Sequence, residues 1–124
     1  MKTAHIILAL ALTATATAVL AHGSDKPRHG GVTQVSGEMV IELVRSADGL
    51  DVYVVEEDQP VPAAGLDGRV TVIAAGAKQV TPLVSAEDNH LRAPGLAVSG
   101  GGKVIVALTV KATGAKAFGT FDVQ

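Results

Sequence analysis

Beyond the extreme N-terminus, the chain's chemistry is concentrated in three histidines: His22, His29 and His90. An imidazole nitrogen can ligate a transition metal or carry a proton near neutral pH. Two of the three lie close together in His22-Gly23-Ser24-Asp25-Lys26-Pro27-Arg28-His29. Cleavage after Ala21 would make His22 the first residue. Its freed amine and its ring nitrogen would then chelate one ion. His29 would add a third nitrogen, because glycine and proline let the intervening segment fold back. Three nitrogens in a tetragonal arrangement suit Cu(II), with Zn(II) or Ni(II) as alternatives. Asp25 would add an oxygen, and His90, in Glu87-Asp88-Asn89-His90, a further nitrogen. The metal must displace protons from an amine of pKa about 8 and imidazoles of about 6.5, so affinity should rise with pH. This spacing is far less specific than a helical HExxH. Its rival is a polar tail that merely contains histidine.

Other motifs offer less. The chain has no cysteine, which removes disulfides, thiolate metal sites and a lipid-modified N-terminal cysteine. Met39 is a soft thioether, but its apolar neighbours favour packing. His29-Gly30-Gly31 reads equally well as a glycine turn. Glu87 to His90, like Glu56-Glu57-Asp58, also reads as a solvated turn. Ser99-Gly100-Gly101-Gly102-Lys103 departs from a phosphate loop at Ala97 and at Val104. No Gly-x-Ser-x-Gly is present. The expectation is a protein that is not an enzyme. With a net charge of −2, no basic block and three aromatic residues (one Tyr, two Phe), nucleic acid is not an expected partner.

The elements that must position these residues begin with a targeting segment. Lys2, the apolar run 6–12 and the small-residue run 13–21 read as a signal peptide cut after Ala21, with Ala18 as the rival site. The apolar stretch is shorter than the roughly 20 residues of a spanning helix and is interrupted by threonines. No stable membrane insertion is therefore expected after cleavage. Residues 22–31 read as a mobile histidine-containing tail. From residue 32 to 124 short Val/Ile/Thr runs alternate with Gly, Pro and Asp turns, which is a strand-and-hairpin pattern. The expected strands are 32–35, 39–45, 50–56, 69–74, 79–85, 103–111 and 117–123. Asp48-Gly49 suits a tight hairpin, and Pro82 demotes its strand to an edge or a bulge. About seven antiparallel strands in about 100 residues point to an all-β, immunoglobulin-like β-sandwich. A small Greek-key barrel is the alternative.

Ala21-His22-Gly23, Pro27-Arg28-His29-Gly30-Gly31-Val32, Glu42-Leu43-Val44, Gly49-Leu50-Asp51-Val52-Tyr53-Val54 and the strand at 68–73 together carry a resemblance. The chain resembles a group of small exported bacterial proteins often encoded beside copper and cobalt-zinc-cadmium efflux systems. The likeness spans most of the domain through short motifs, and it implies a periplasmic role in metal handling. The chain is also similar, through His22 alone, to periplasmic β-sandwich copper-resistance proteins. The His-x-His pair and methionine-rich loop of that group are missing here. The expected function is periplasmic metal binding or buffering in heavy-metal resistance, with copper the first choice. The alternative is a non-catalytic envelope module or efflux-system accessory protein that binds no metal itself.

Overall fold

A computed structural model describes residues 23–98 and 100–124. The expected signal peptide, both cleavage sites and His22 lie outside the described residues. Among the described residues ten strands form: β1 (Val32–Ser36), β2 (Met39–Ser46), β3 (Gly49–Glu56), β4 (Gln59–Pro60), β5 (Leu66–Ala74), β6 (Ala77–Pro82), β7 (Val84–Ser85), β8 (His90–Pro94), β9 (Lys103–Val110) and β10 (Lys116–Asp122). A single 3-10 turn, Ala63–Gly65, precedes β5. Sheet A runs β1-β2-β3-β8-β7, with β4 paired to β3, and sheet B runs β10-β9-β5-β6. All pairings are antiparallel. The architecture is the expected all-β sandwich.

Alternation explains why two layers form. A strand sends successive side chains to opposite faces, so one apolar residue in every two builds one buried face. Ile41 and Leu43 of β2, Leu50, Val52 and Val54 of β3, and Leu91 and Ala93 of β8 line the inner face of sheet A. Val70 and Val72 of β5, Val104, Val106 and Leu108 of β9, and Ala117 and Phe121 of β10 answer from sheet B. The core is aliphatic, and Phe121 is its one buried aromatic ring among the described residues. Burying each such Val, Leu or Ile contributes roughly 1.5–3 kcal/mol before the entropy of ordering the chain is set against it.

Besides the two-residue β4, which pairs with β3, two elements differ from the sequence expectation. The run expected as one strand over 79–85 is two strands in different sheets. β6 is the edge of sheet B, β7 is the edge of sheet A, and Leu83 crosses between them. Its N–H donates to the Gly68 carbonyl at 2.9 Å. Gly68 leaves the space this needs, since a methyl there would meet the side chains of Leu83 and Leu108. Pro82 closes β6, where the lost N–H costs no ladder bond in a central strand. The second difference is β8. Only Leu91 and Ala93 point inward along it, and Pro94 and the polar run before His90 hide so short a pattern. His90 therefore begins a strand beside β3 instead of sitting in a solvated turn.

Candidate metal centre on the outer face of sheet A

The register of sheet A sets a row across its outer face. Thr33 of β1 faces Glu42 of β2, Glu42 faces Tyr53 of β3, and Tyr53 faces His90 of β8. One step along, Asp51 of β3 faces Arg92 of β8. All six point away from the core because their neighbours Ile41, Leu43, Val52 and Leu91 point into it.

Residues 23–31 lie over this row and are tied to it at both ends. The Ser24 N–H donates to Asp58 Oδ1 at 2.8 Å, and the Arg28 guanidinium donates to the same oxygen at 2.9 Å. Asp58 reaches them from the tight β3–β4 turn, where Glu57 and Asp58 both take positive φ (47° and 65°), the geometry of a twisted two-residue hairpin. Thr33 Oγ1 donates to the Asp25 carbonyl at 2.6 Å. The stretch expected as a mobile tail thus makes these bonds to two parts of sheet A, the β3–β4 turn and β1.

Glu42 is the centre of the attachment. Its Oε1 accepts the N–H groups of His29 (2.7 Å) and Gly31 (3.0 Å). Its Oε2 accepts the Arg28 N–H at 3.0 Å and His29 Nδ1 at 3.0 Å. The side chain is only 6 % exposed. Burial alone would raise its pKa. The donors from Arg28, His29 and Gly31 outweigh that and hold the carboxyl below its ordinary value of 4.5. The glycines make this approach possible. Gly30 sits at φ 75°, and a methyl on Gly31 would run into the Leu43 carbonyl.

Three rings then stack. His29 lies on Tyr53 with centroids 3.6 Å apart and planes 8° apart. Tyr53 lies on His90 at 4.5 Å and 10°. With Glu42 and His29 on one flank of Tyr53 and β8 on the other, the phenol ring separates the two imidazoles. His90 Nε2 pairs with Asp51 Oδ1 at 2.7 Å, and Arg92 Nε reaches the same oxygen at 3.3 Å. Burial first, then the charges of Asp51 and Glu42, push the Tyr53 hydroxyl above its ordinary value, with Arg92 acting against them.

Each imidazole is therefore bonded to a carboxylate through one nitrogen, the arrangement that orients histidine for a metal at the other. The His29 ring is 39 % exposed and that of His90 23 %. Asp25 lies apart from them, beside a surface hollow it shares with Gly23, Val35, Glu38, Val40 and Glu57. Among the described residues no three His, Asp or Glu side chains converge on one point as a metal cage. His29, His90 and Asp25 are not brought together as one ligand set. His90 and Asp51 form two-thirds of a hydrolytic triad, but among the described residues no serine is hydrogen-bonded to that histidine.

Three contributors escaped the sequence reading: Glu42, Tyr53 and Asp51. The signal for Glu42 is a lone carboxylate in the apolar run Met39-Val40-Ile41-Glu42-Leu43-Val44. Tyr53 is the chain's one tyrosine.

No family model and no curated protein matches the chain. A solved structure titled as the Br derivative BhCBM56 is similar at 9 % identity, covering 73 % of this chain and 97 % of that one, with a TM-score of 0.47. A likeness of that size assigns this chain no ligand.

Proposed function

We propose that the protein is a periplasmic metal-binding or metal-buffering protein of heavy-metal resistance, with Cu(II) its expected ion. The reading is supported above all by His29. Its Nδ1 is bonded to the buried Glu42 carboxylate, while the ring stays part-exposed. A carboxylate behind an imidazole raises its strength as a ligand. His22, if it is the first residue of the mature chain, supplies the amine and second imidazole that complete a three-nitrogen set. The protein is read as non-catalytic.

The test is a Cu(II) titration of the exported mature protein, with its first residue fixed by N-terminal sequencing. Alongside it run a His22→Ala/His29→Ala double variant and a His90→Ala variant. The expected result is loss of Cu(II) uptake in the double variant and retention in His90→Ala. Equal uptake by wild type and the double variant would remove His22 and His29 from the site. Zn(II) and Ni(II) titrations rank the metals.

One observation favours a second reading, an envelope interaction module. β6 is an unpaired edge with Val80 54 % exposed, open to strand addition by an efflux component. Capture of the same envelope protein with and without chelator would favour it.

A further inference from the structure

Glu42 does more than fasten residues 23–31. We infer that Glu42 and Tyr53 are positioning residues that preset His29 to ligate through Nε2, Glu42 by fixing the tautomer and Tyr53 by fixing the ring plane. The inference rests on the metal reading for its purpose, but its structural half can be tested without metal.

The argument is one of hydrogen-bond capacity. Three N–H groups and one ring nitrogen converge on the two oxygens of Glu42, two on each. The three N–H groups are backbone amides, which can only donate. A glutamate is ionised near neutral pH and an ionised carboxylate can only accept, so Glu42 has no proton to offer the ring and His29 Nδ1 must be the donor. A neutral imidazole carries one proton. With Nδ1–H committed to Glu42, the lone pair sits on Nε2. Rotation about the ring axis would otherwise remain free. The Tyr53 stack at 3.6 Å and 8° holds the plane, and His90 backs Tyr53 from its other face. Ordering a ligand before the ion arrives removes part of the entropy cost of binding. The Tyr53 hydroxyl takes no part in this, so a phenylalanine should serve as well.

Glu42→Gln is the informative change because it is nearly isosteric. Its amide nitrogen, placed where Oε2 was, would donate to Nδ1 and drive the proton to Nε2. Long-range proton–nitrogen correlation spectra of the metal-free protein read the tautomer directly. The expected result is Nδ1–H in wild type and in Tyr53→Phe, and Nε2–H in Glu42→Gln. Cu(II) affinity should fall about 10- to 100-fold in Glu42→Gln and about tenfold in Tyr53→Leu, and hold in Tyr53→Phe. A wild-type His29 protonated at Nε2, or a Glu42→Gln protein with an unchanged tautomer, overturns the assignment. If Tyr53→Leu binds as wild type, the stacking role falls. If wild type shows Nδ1–H yet takes up no Cu(II), the tautomer assignment stands and the metal function falls.

Discussion

Across the outer face of sheet A the row Thr33–Glu42–Tyr53–His90 lies under residues 24–29, held by hydrogen bonds from the segment above. Across the outer face of sheet B the corresponding row is Val80–Thr71–Ile105–Thr120, and among the described residues no segment is hydrogen-bonded over it. Both rows arise from the same alternation. They differ at every position, and the difference that draws a segment over one of them is that β2 carries a carboxylate where the central strands of sheet B carry threonine and isoleucine. A buried carboxylate in a sheet must find donors or lose its charge. Here a glycine-bearing segment supplies them, and the histidine within it is brought onto Tyr53 as a result. The difference teaches that a buried carboxylate on the outer face of a sheet can recruit a stretch of chain that has no strand pattern of its own.

The largest expected effect breaks the comparison outright. Glu42→Ala leaves three amides and a ring nitrogen without their acceptor, and should cost about 2–3 kcal/mol, the range of hydrogen bonds to a charged group. Thr71→Ala, its counterpart on sheet B, should stay within about 0.5 kcal/mol. Urea unfolding measures both. Hydrogen exchange should show the amides of Arg28, His29 and Gly31 losing protection only in the first. Equal costs would mean that residues 23–31 add nothing to sheet A.

The next effect uses pH. The folded Glu42 value lies below 4.5, so the unfolded chain takes up the proton first as acid is added. Glu42's stabilisation is thus complete above its unfolded value and is lost as pH falls through the folded one. Wild type should lose stability relative to Glu42→Gln in that acid window and run parallel to it near neutrality. A constant gap down to about pH 3 would contradict the hydrogen-bonded carboxylate.

The sequence displayed the sandwich but only part of the row. Strands such as 103–111 alternate strictly over eight or more residues, and their inner faces follow directly. β8 has two inward residues and a proline, too few to show a period. The switch of sheet at Leu83 is invisible because a strand leaving one layer for the other keeps the same local pattern. His29 stood out by residue type. Its partners did not, because Glu42, 13 positions away, meets it only through the turn at Gly30-Gly31 and the pairing of β1 with β2. The stack with Tyr53 and His90 is set by register across three strands, which no local spacing encodes. His22, the other half of the expected chelate, lies outside the described residues.

The smallest effect sharpens the contrast at the hairpin tips. The β3–β4 turn and the β5–β6 turn both hold two residues at positive φ, Glu57-Asp58 and Ala75-Gly76. Asp58 repays its strain by holding Ser24 and Arg28. Ala75, at φ 51°, holds nothing comparable. Ala75→Gly should therefore stabilise by about 0.5–1 kcal/mol, whereas Asp58→Gly should gain nothing net and expose residues 23–31 to exchange. Thermal melts of the two variants check the signs.

The passage of Leu83 from one layer to the other has a bearing on how the molecule comes apart. A nick at that point leaves an early fragment with β1–β4 of one layer and β5–β6 of the other, and a late fragment with β7–β8 and β9–β10. Each piece then owns two of the four strands of sheet B and an unequal share of sheet A, four strands against two, and a complete version of neither. The two halves are complements rather than separable lobes. Proteolysis there would yield fragments that must reassociate to regain a hydrophobic interior.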